Sequence, residues 1–167
     1  MEPLDEIAAV LAAQRHNPHA DEATFFGALK LGDALPDVEV QFQGHPEQMD
    51  AHTGGAFQLL YFVREDGLVD MQEQRTLHAL LRLHPAVLPL LVSEQGVRLA
   101  GFETLLDAEG DLARRCDARA GTAYLLSPYR RVLGRWRRLV LSDVQTVLDE
   151  VVSSLPGRGG HAADPTS

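Results

Sequence analysis

Leu112 to Leu139, LARRCDARAGTAYLLSPYRRVLGRWRRL, is the stretch whose reading decides the fold. It predicts a short helix over 109–116, a strand over Thr122–Leu126, a turn at Pro128-Tyr129-Arg130 and a return strand over Val132–Arg138. The apolar run Ala123-Tyr124-Leu125-Leu126 has the continuous character of a buried strand. On the return strand the two-residue period puts Arg135 and Arg137 on one face and Gly134 and Trp136 on the other. The segment also holds the only cysteine, Cys116, and the only tryptophan.

Outward from this hairpin the same reading supplies a complete α/β order. Pro3, Asp5 and Glu6 suit a helix start, and Leu4, Ile7, Ala8 and Leu11 give a helix over 3–14 one apolar face. Asn17-Pro18 ends it. Residues 17–36 read as a connector packed down by Phe25 and Phe26. Val38, Val40 and Phe42 alternate as a short edge strand, and 44–55 is rich in turn residues. Phe57 to Val63 is the strongest strand and reads as a central one. A tight loop at 64–67 leads to a helix over 70–83, which Pro85 ends. Val87–Ser93 is the next strand, with Pro89 expected near its start or on an edge. Residues 105–109 read as a loop. In the last helix, from Ser142, Ser142 and Gln145 fit a capping box before the stripe Val144, Val147, Leu148, Val151, Val152, Leu155. Gly157 to Ser167 has the composition of a flexible tail.

The order β–α–β, then α, then β–β–α predicts a thioredoxin-like α/β domain. Its central mixed sheet is expected to have about four to five strands, with helices on both faces and an N-terminal helix besides. The domain division is 1–29 for the N-terminal helix and connector, 30–155 for the domain and 156–167 for the tail.

Three blocks resemble a known family. They are Asp111-Leu112-Ala113-Arg114-Arg115, Gly121-Thr122-Ala123-Tyr124-Leu125-Leu126-Ser127-Pro128, and Val132-Leu133-Gly134-Arg135-Trp136-Arg137. Together they are similar to the C-terminal thioredoxin-like domain of class A flavin-dependent aromatic-ring hydroxylases, the phenol and pentachlorophenol monooxygenase type. Those domains carry a GT-x-Y-L-x-R-P-D strand and turn and an R-W-R return strand. Gly32-Asp33-Ala34-Leu35-Pro36-Asp37-Val38 resembles their G-x-x-x-P-D start. The resemblance covers about residues 30–155 and implies an accessory domain, here as a chain of its own. Ser127-Pro128-Tyr129 departs from the arginine-proline-acid turn. No GxGxxG fingerprint is present, so flavin and NADPH binding and hydroxylation do not carry over.

Charge narrows the partners. The formal net charge of −9 argues against nucleic acid or an anionic membrane surface. From Arg114 to Arg138 eight arginines face one acid, Asp117, a local +7 against −16 for the rest. Arg130, Arg131, Arg135 and Arg137 are therefore candidates for an anion or acidic-partner contact. The competing reading is charge on an edge strand, which discourages pairing between molecules. A third is pairing with the chain's own acids.

One cysteine excludes an internal disulfide and any CxxC centre, and fits a reducing compartment. No apolar run is long enough to span a membrane, and the acidic N-terminus is unlike a signal peptide, so the expectation is cytoplasmic. A reactive thiol in this fold sits after the first core strand, at a helix N-terminus. That place is Arg64-Glu65-Asp66-Gly67, and Ala120-Gly121-Thr122 stands where a proline usually precedes the third core strand. Cys116 falls near a helix end, where the dipole opposes a thiolate, although Arg114, Arg115 and Arg119 partly offset it. The seven histidines (His16, His19, His45, His52, His78, His84 and His161) show no metal-ligand spacing, no serine lies in a GxSxG context, and no cofactor is expected. Tyr61, Tyr124 and Trp136 read as core.

The sequence thus offers no catalytic set. It favours a redox-inactive interaction or oligomerisation module, self-associating or docking on a separate flavoprotein subunit. The alternatives are a thiol-dependent oxidoreductase or peroxidase using Cys116, and a binder of small aromatic ligands between the Phe25/Phe26 connector and the sheet.

Overall fold

A computed structural model describes Phe25 and residues 29–63, 71–95 and 102–154. The helix expected over 3–14, most of the connector, the 64–67 loop and the 156–167 tail lie outside the described residues.

The strand expected to be central is central. β3 (Phe57–Phe62) lies between a parallel neighbour, β4 (Val87–Ser93), and an antiparallel one, β6 (Ala123–Leu126). From Gln58 onward every residue of β3 is buried, as its apolar run requires. The crossover between the parallel strands carries α1 (Met71–Leu83), which buries Leu77 and Leu80.

The sheet has seven strands rather than four or five, in the order β2-β1-β5-β4-β3-β6-β7. Two of the additional strands lie in stretches that read as loops. β2 (His45–Gln48) forms a hairpin with β1 (Glu39–Phe42) across Gln43-Gly44, both at positive φ. With β2 on the outside, β1 is not an edge strand. The edge carries His45-Pro46-Glu47-Gln48, where proline removes no needed donor. β5 (Glu103–Leu106) pairs parallel with β4 over Leu90–Ser93. Its four residues are too few for a period to show. Pro89 is the third residue of β4 and sits opposite Leu59, inside the sheet but near the strand start.

The hairpin that anchored the reading forms as expected, β6 against β7 (Val132–Trp136). Pro128 and Tyr129 make the corner of a β-turn, closed by Arg130 N–H donating to the Ser127 carbonyl at 2.9 Å. Arg130 follows at φ 60. The hydroxyl of Ser127, wholly buried, accepts from the N–H groups of Tyr129 and Arg131 at 3.2 Å each. The serine departure from the arginine-proline-acid turn therefore organises the turn from within.

Helices cover both faces. α1 and α3 (Leu141–Ser154) contact each other, and α3 buries Val144, Val147, Leu148 and Val151. They lie on the face carrying Tyr61, whose hydroxyl and Glu73 of α1 both approach Gly121. α2 (Asp111–Arg115) lies on the other face, where Tyr124 donates to the Cys116 carbonyl at 2.5 Å. α3 starts one residue before the expected cap. Ser142 is inside it, and the Val140 carbonyl accepts from Val144 N–H instead.

Candidate functional site

Two arginines of the hairpin, Arg135 and Arg137, fold inward. The connector covers the outer side of β7 at its start. Gly32 N–H donates to the Val132 carbonyl at 2.8 Å, Val132 N–H to Asp33 at 2.9 Å, and Leu35 N–H to Arg130 at 2.8 Å. β7 is the last strand of the sheet, and these bonds cover its outer side at Arg130–Val132. Arg135, only 7% exposed, donates to the Leu29 carbonyl, and its guanidinium lies 4.6 Å from the centre of the Phe25 ring. Arg137 lies over the same ring at 3.9 Å and pairs with Asp117 at 2.6 Å. Arg131 donates to the Gly32 carbonyl at 3.3 Å, and Arg130 pairs with Asp50 at 3.3 Å. Strand alternation did bring Arg135 and Arg137 to one face. What it could not reveal was that Phe25, a hundred residues earlier, occupies that face and makes the pair a cation–π clamp.

Phe25, one of the two residues considered for an aromatic-ligand cleft, is itself packed down, and Phe26 lies outside the described residues. Phe25 stands edge-on to Tyr124 at 5.7 Å and is 8% exposed. Tyr61, Tyr124 and Trp136 are each 0–1% exposed, as core residues should be.

Cys116 follows α2 and is fully buried. Burial, helped by the nearby Asp107 carboxylate, pushes its thiol up from 9.0 to about 12. A thiol shifted in this direction is protonated at neutral pH. Burial also raises the Tyr124 hydroxyl above its ordinary range, with Cys116 the next cause.

Groups able to meet a ligand converge elsewhere. A cavity of about 610 Å³ opens at the carboxyl ends of β3 and β4. Phe62, Val63 and Val92 supply apolar lining from the strands, and Ala113, Ala118 and Ala120 from α2 and the loop into β6. Among the described residues its charged groups are Glu94, Asp107 and Arg119. Asp107 is 2% exposed, and its carboxylate accepts from Leu112 N–H at 3.2 Å and Ala113 N–H at 3.0 Å, so it caps α2 from outside the helix. The sequence places Asp107 in a loop. A carboxylate five residues before the amide it accepts from leaves no capping signature in sequence.

No group of three or more histidines, cysteines or acids able to hold a metal occurs among the described residues. His52 pairs with Glu47, and His78 stands against Phe102. No described helix is long and apolar enough to cross a membrane.

No protein-family model and no curated protein matches the chain. Solved structures do. Thiol peroxidase from Chromobacterium violaceum superposes with a TM-score of 0.59 at 14% identity, covering 71% of this chain and 85% of that one. The flavin-dependent monooxygenase PieE, solved with FAD and substrate, gives 0.53 at 19%, over 78% of this chain and 21% of that one. Aklavinone-11 hydroxylase, solved with FAD and aklavinone, gives 0.51 at 21%, over 84% and 26%. The two flavoenzymes thus match this chain over about a quarter or less of their own length, as one domain of a larger protein would. At these identities the likeness is one of fold, and the fold is α/β and thioredoxin-like.

Proposed function

We propose that this chain is a redox-inactive thioredoxin-like domain that works as an interaction or oligomerisation module, of the kind attached to flavin-dependent aromatic hydroxylases. The observation that carries this is the state of its only thiol. Cys116 is fully buried with a pKa near 12, while the sheet around it is intact. The match to one domain of two flavoenzymes supports the hydroxylase association. Analytical ultracentrifugation tests it, on the chain alone and mixed with a flavin-dependent aromatic hydroxylase truncated of its own C-terminal domain. Self-association, or a complex with the truncated enzyme, is the expected result. A strict monomer in both samples overturns the proposal.

A second reading, a thiol-dependent peroxidase or oxidoreductase using Cys116, draws on the likeness to a thiol peroxidase. Its test is peroxide consumption with a dithiol reductant. Turnover that disappears in Cys116→Ser would establish it over the first reading.

A further inference from the structure

Among the described residues, the charges around the 610 Å³ cavity are sorted by position in the sheet. Glu94 directly follows β4, and Asp107 directly follows β5. Arg119 is in the loop entering β6, on the other side of β3. Phe62 and Val63, at the end of β3, lie between them as an apolar floor. β3 is also where connections diverge, one neighbour following through α1 and the other arriving from α2, and such crevices at strand carboxyl ends suit ligands.

Glu94 and Arg119 are both exposed, and among the described residues neither makes an ion pair or side-chain hydrogen bond. They line one cavity without neutralising each other. A ligand that satisfies both must carry a cation at one end and an anion at the other, over an apolar body. The strand order gives the scale, since Glu94 follows β4 and Arg119 lies in the loop before β6. β4 and β6 are two strand spacings apart, or about 10 Å. An extended chain covers that distance in about three residues.

We infer that this cavity binds a short apolar peptide with free termini. Its ammonium group lies toward Glu94 and the Asp107 side, and its carboxylate meets the guanidinium of Arg119. Hydrophobic side chains rest on Phe62, Val63 and Val92. This site does not depend on whether the domain docks on a flavoprotein.

Isothermal titration with tri-L-valine, its N-acetylated form and its C-amidated form tests the assignment. Wild type is expected to bind the free peptide about two- to fivefold more tightly than either blocked form, the worth of exposed charge contacts. Arg119→Gln should erase the preference for the free carboxylate alone, and Glu94→Gln the preference for the free ammonium alone. Both side chains are exposed, so neither substitution threatens the fold. The inference fails if the three peptides bind alike, if each preference survives its substitution, or if the free peptide shows no binding up to about 10 mM.

Discussion

Replacing Gly134 by alanine sets two effects of known sign against each other. Glycine inside a strand is disfavoured, and alanine there would stabilise the fold by about 0.4–1 kcal/mol through the unfolded chain. Packing acts the other way. A Cβ on Gly134 would stand 2.6 Å from Cη2 and 2.8 Å from Cζ2 of Trp136, whose indole lies across the glycine. Ordinary contact begins at 3.4 Å, so the ring must retreat by about 0.8 Å. It is 1% exposed, with Leu133 and Val132 beside it at 0%, and has no free space to retreat into. Overpacking of this kind costs about 1–3 kcal/mol. The net expectation is a loss of about 1–2 kcal/mol, or a melting temperature lower by roughly 3–8 °C. Urea and thermal unfolding followed by circular dichroism measure it. Tryptophan fluorescence is unsuitable because the control removes the only tryptophan. That control is Trp136→Phe, which deletes the indole atoms that the new Cβ meets. In its background Gly134→Ala should be neutral or stabilising. Stabilisation in the wild-type background, or an equal loss in both, would refute the reasoning.

Three further outcomes follow from the same structure. The Cys116 thiol stays protonated in the folded state up to about 12, whereas the unfolded chain releases its proton from 9.0. Above pH 9 the unfolded state therefore binds fewer protons, so stability should fall as pH rises from 9 toward 12, and less steeply in Cys116→Ala by denaturant titration. Asp107→Ala strips the acceptor from the N–H groups of Leu112 and Ala113; a loss of about 2 kcal/mol in urea unfolding is expected, and Asp107→Asn should recover part of it. Arg135→Ala removes the donor to Leu29 and one side of the Phe25 clamp, so limited proteolysis should cut residues 29–35 several-fold faster while sparing the β6–β7 hairpin.

Legibility in the sequence followed the length and regularity of each element. β3, α1, β4 and α3 were visible because six to fourteen residues in one pattern leave a period or an unbroken apolar run. β2 and β5, at four residues each, were hidden. Pro46 and Gly44 looked like loop chemistry, and Glu103-Thr104-Leu105-Leu106 shows no alternation. They are strands because neighbours hold them. β1 offers its register to β2, and β4 offers a parallel edge to β5. The site followed the same division. Cys116 was expected to be a poor nucleophile from its place at a helix end, and its depth in the core, a tertiary property, pushed it much further the same way. Asp107, Glu94 and Arg119 carried no spacing signal, since each comes from the end of a different element.

By itself the sequence determined the class of the domain, the β6–β7 hairpin with its arginine and tryptophan faces, and the absence of a dithiol centre. These depend on local period, turn chemistry and residue counts, which need no knowledge of distant neighbours. Only the tertiary structure decided what the arginines do. Phe25 and the 29–35 connector close over β7 and turn what looked like an exposed basic strand into a buried clamp. It also gathered Glu94, Asp107 and Arg119 at one end of the sheet. Strands that are distant in sequence lie only about 5 Å apart once paired, so side chains meet there that no linear pattern can bring together.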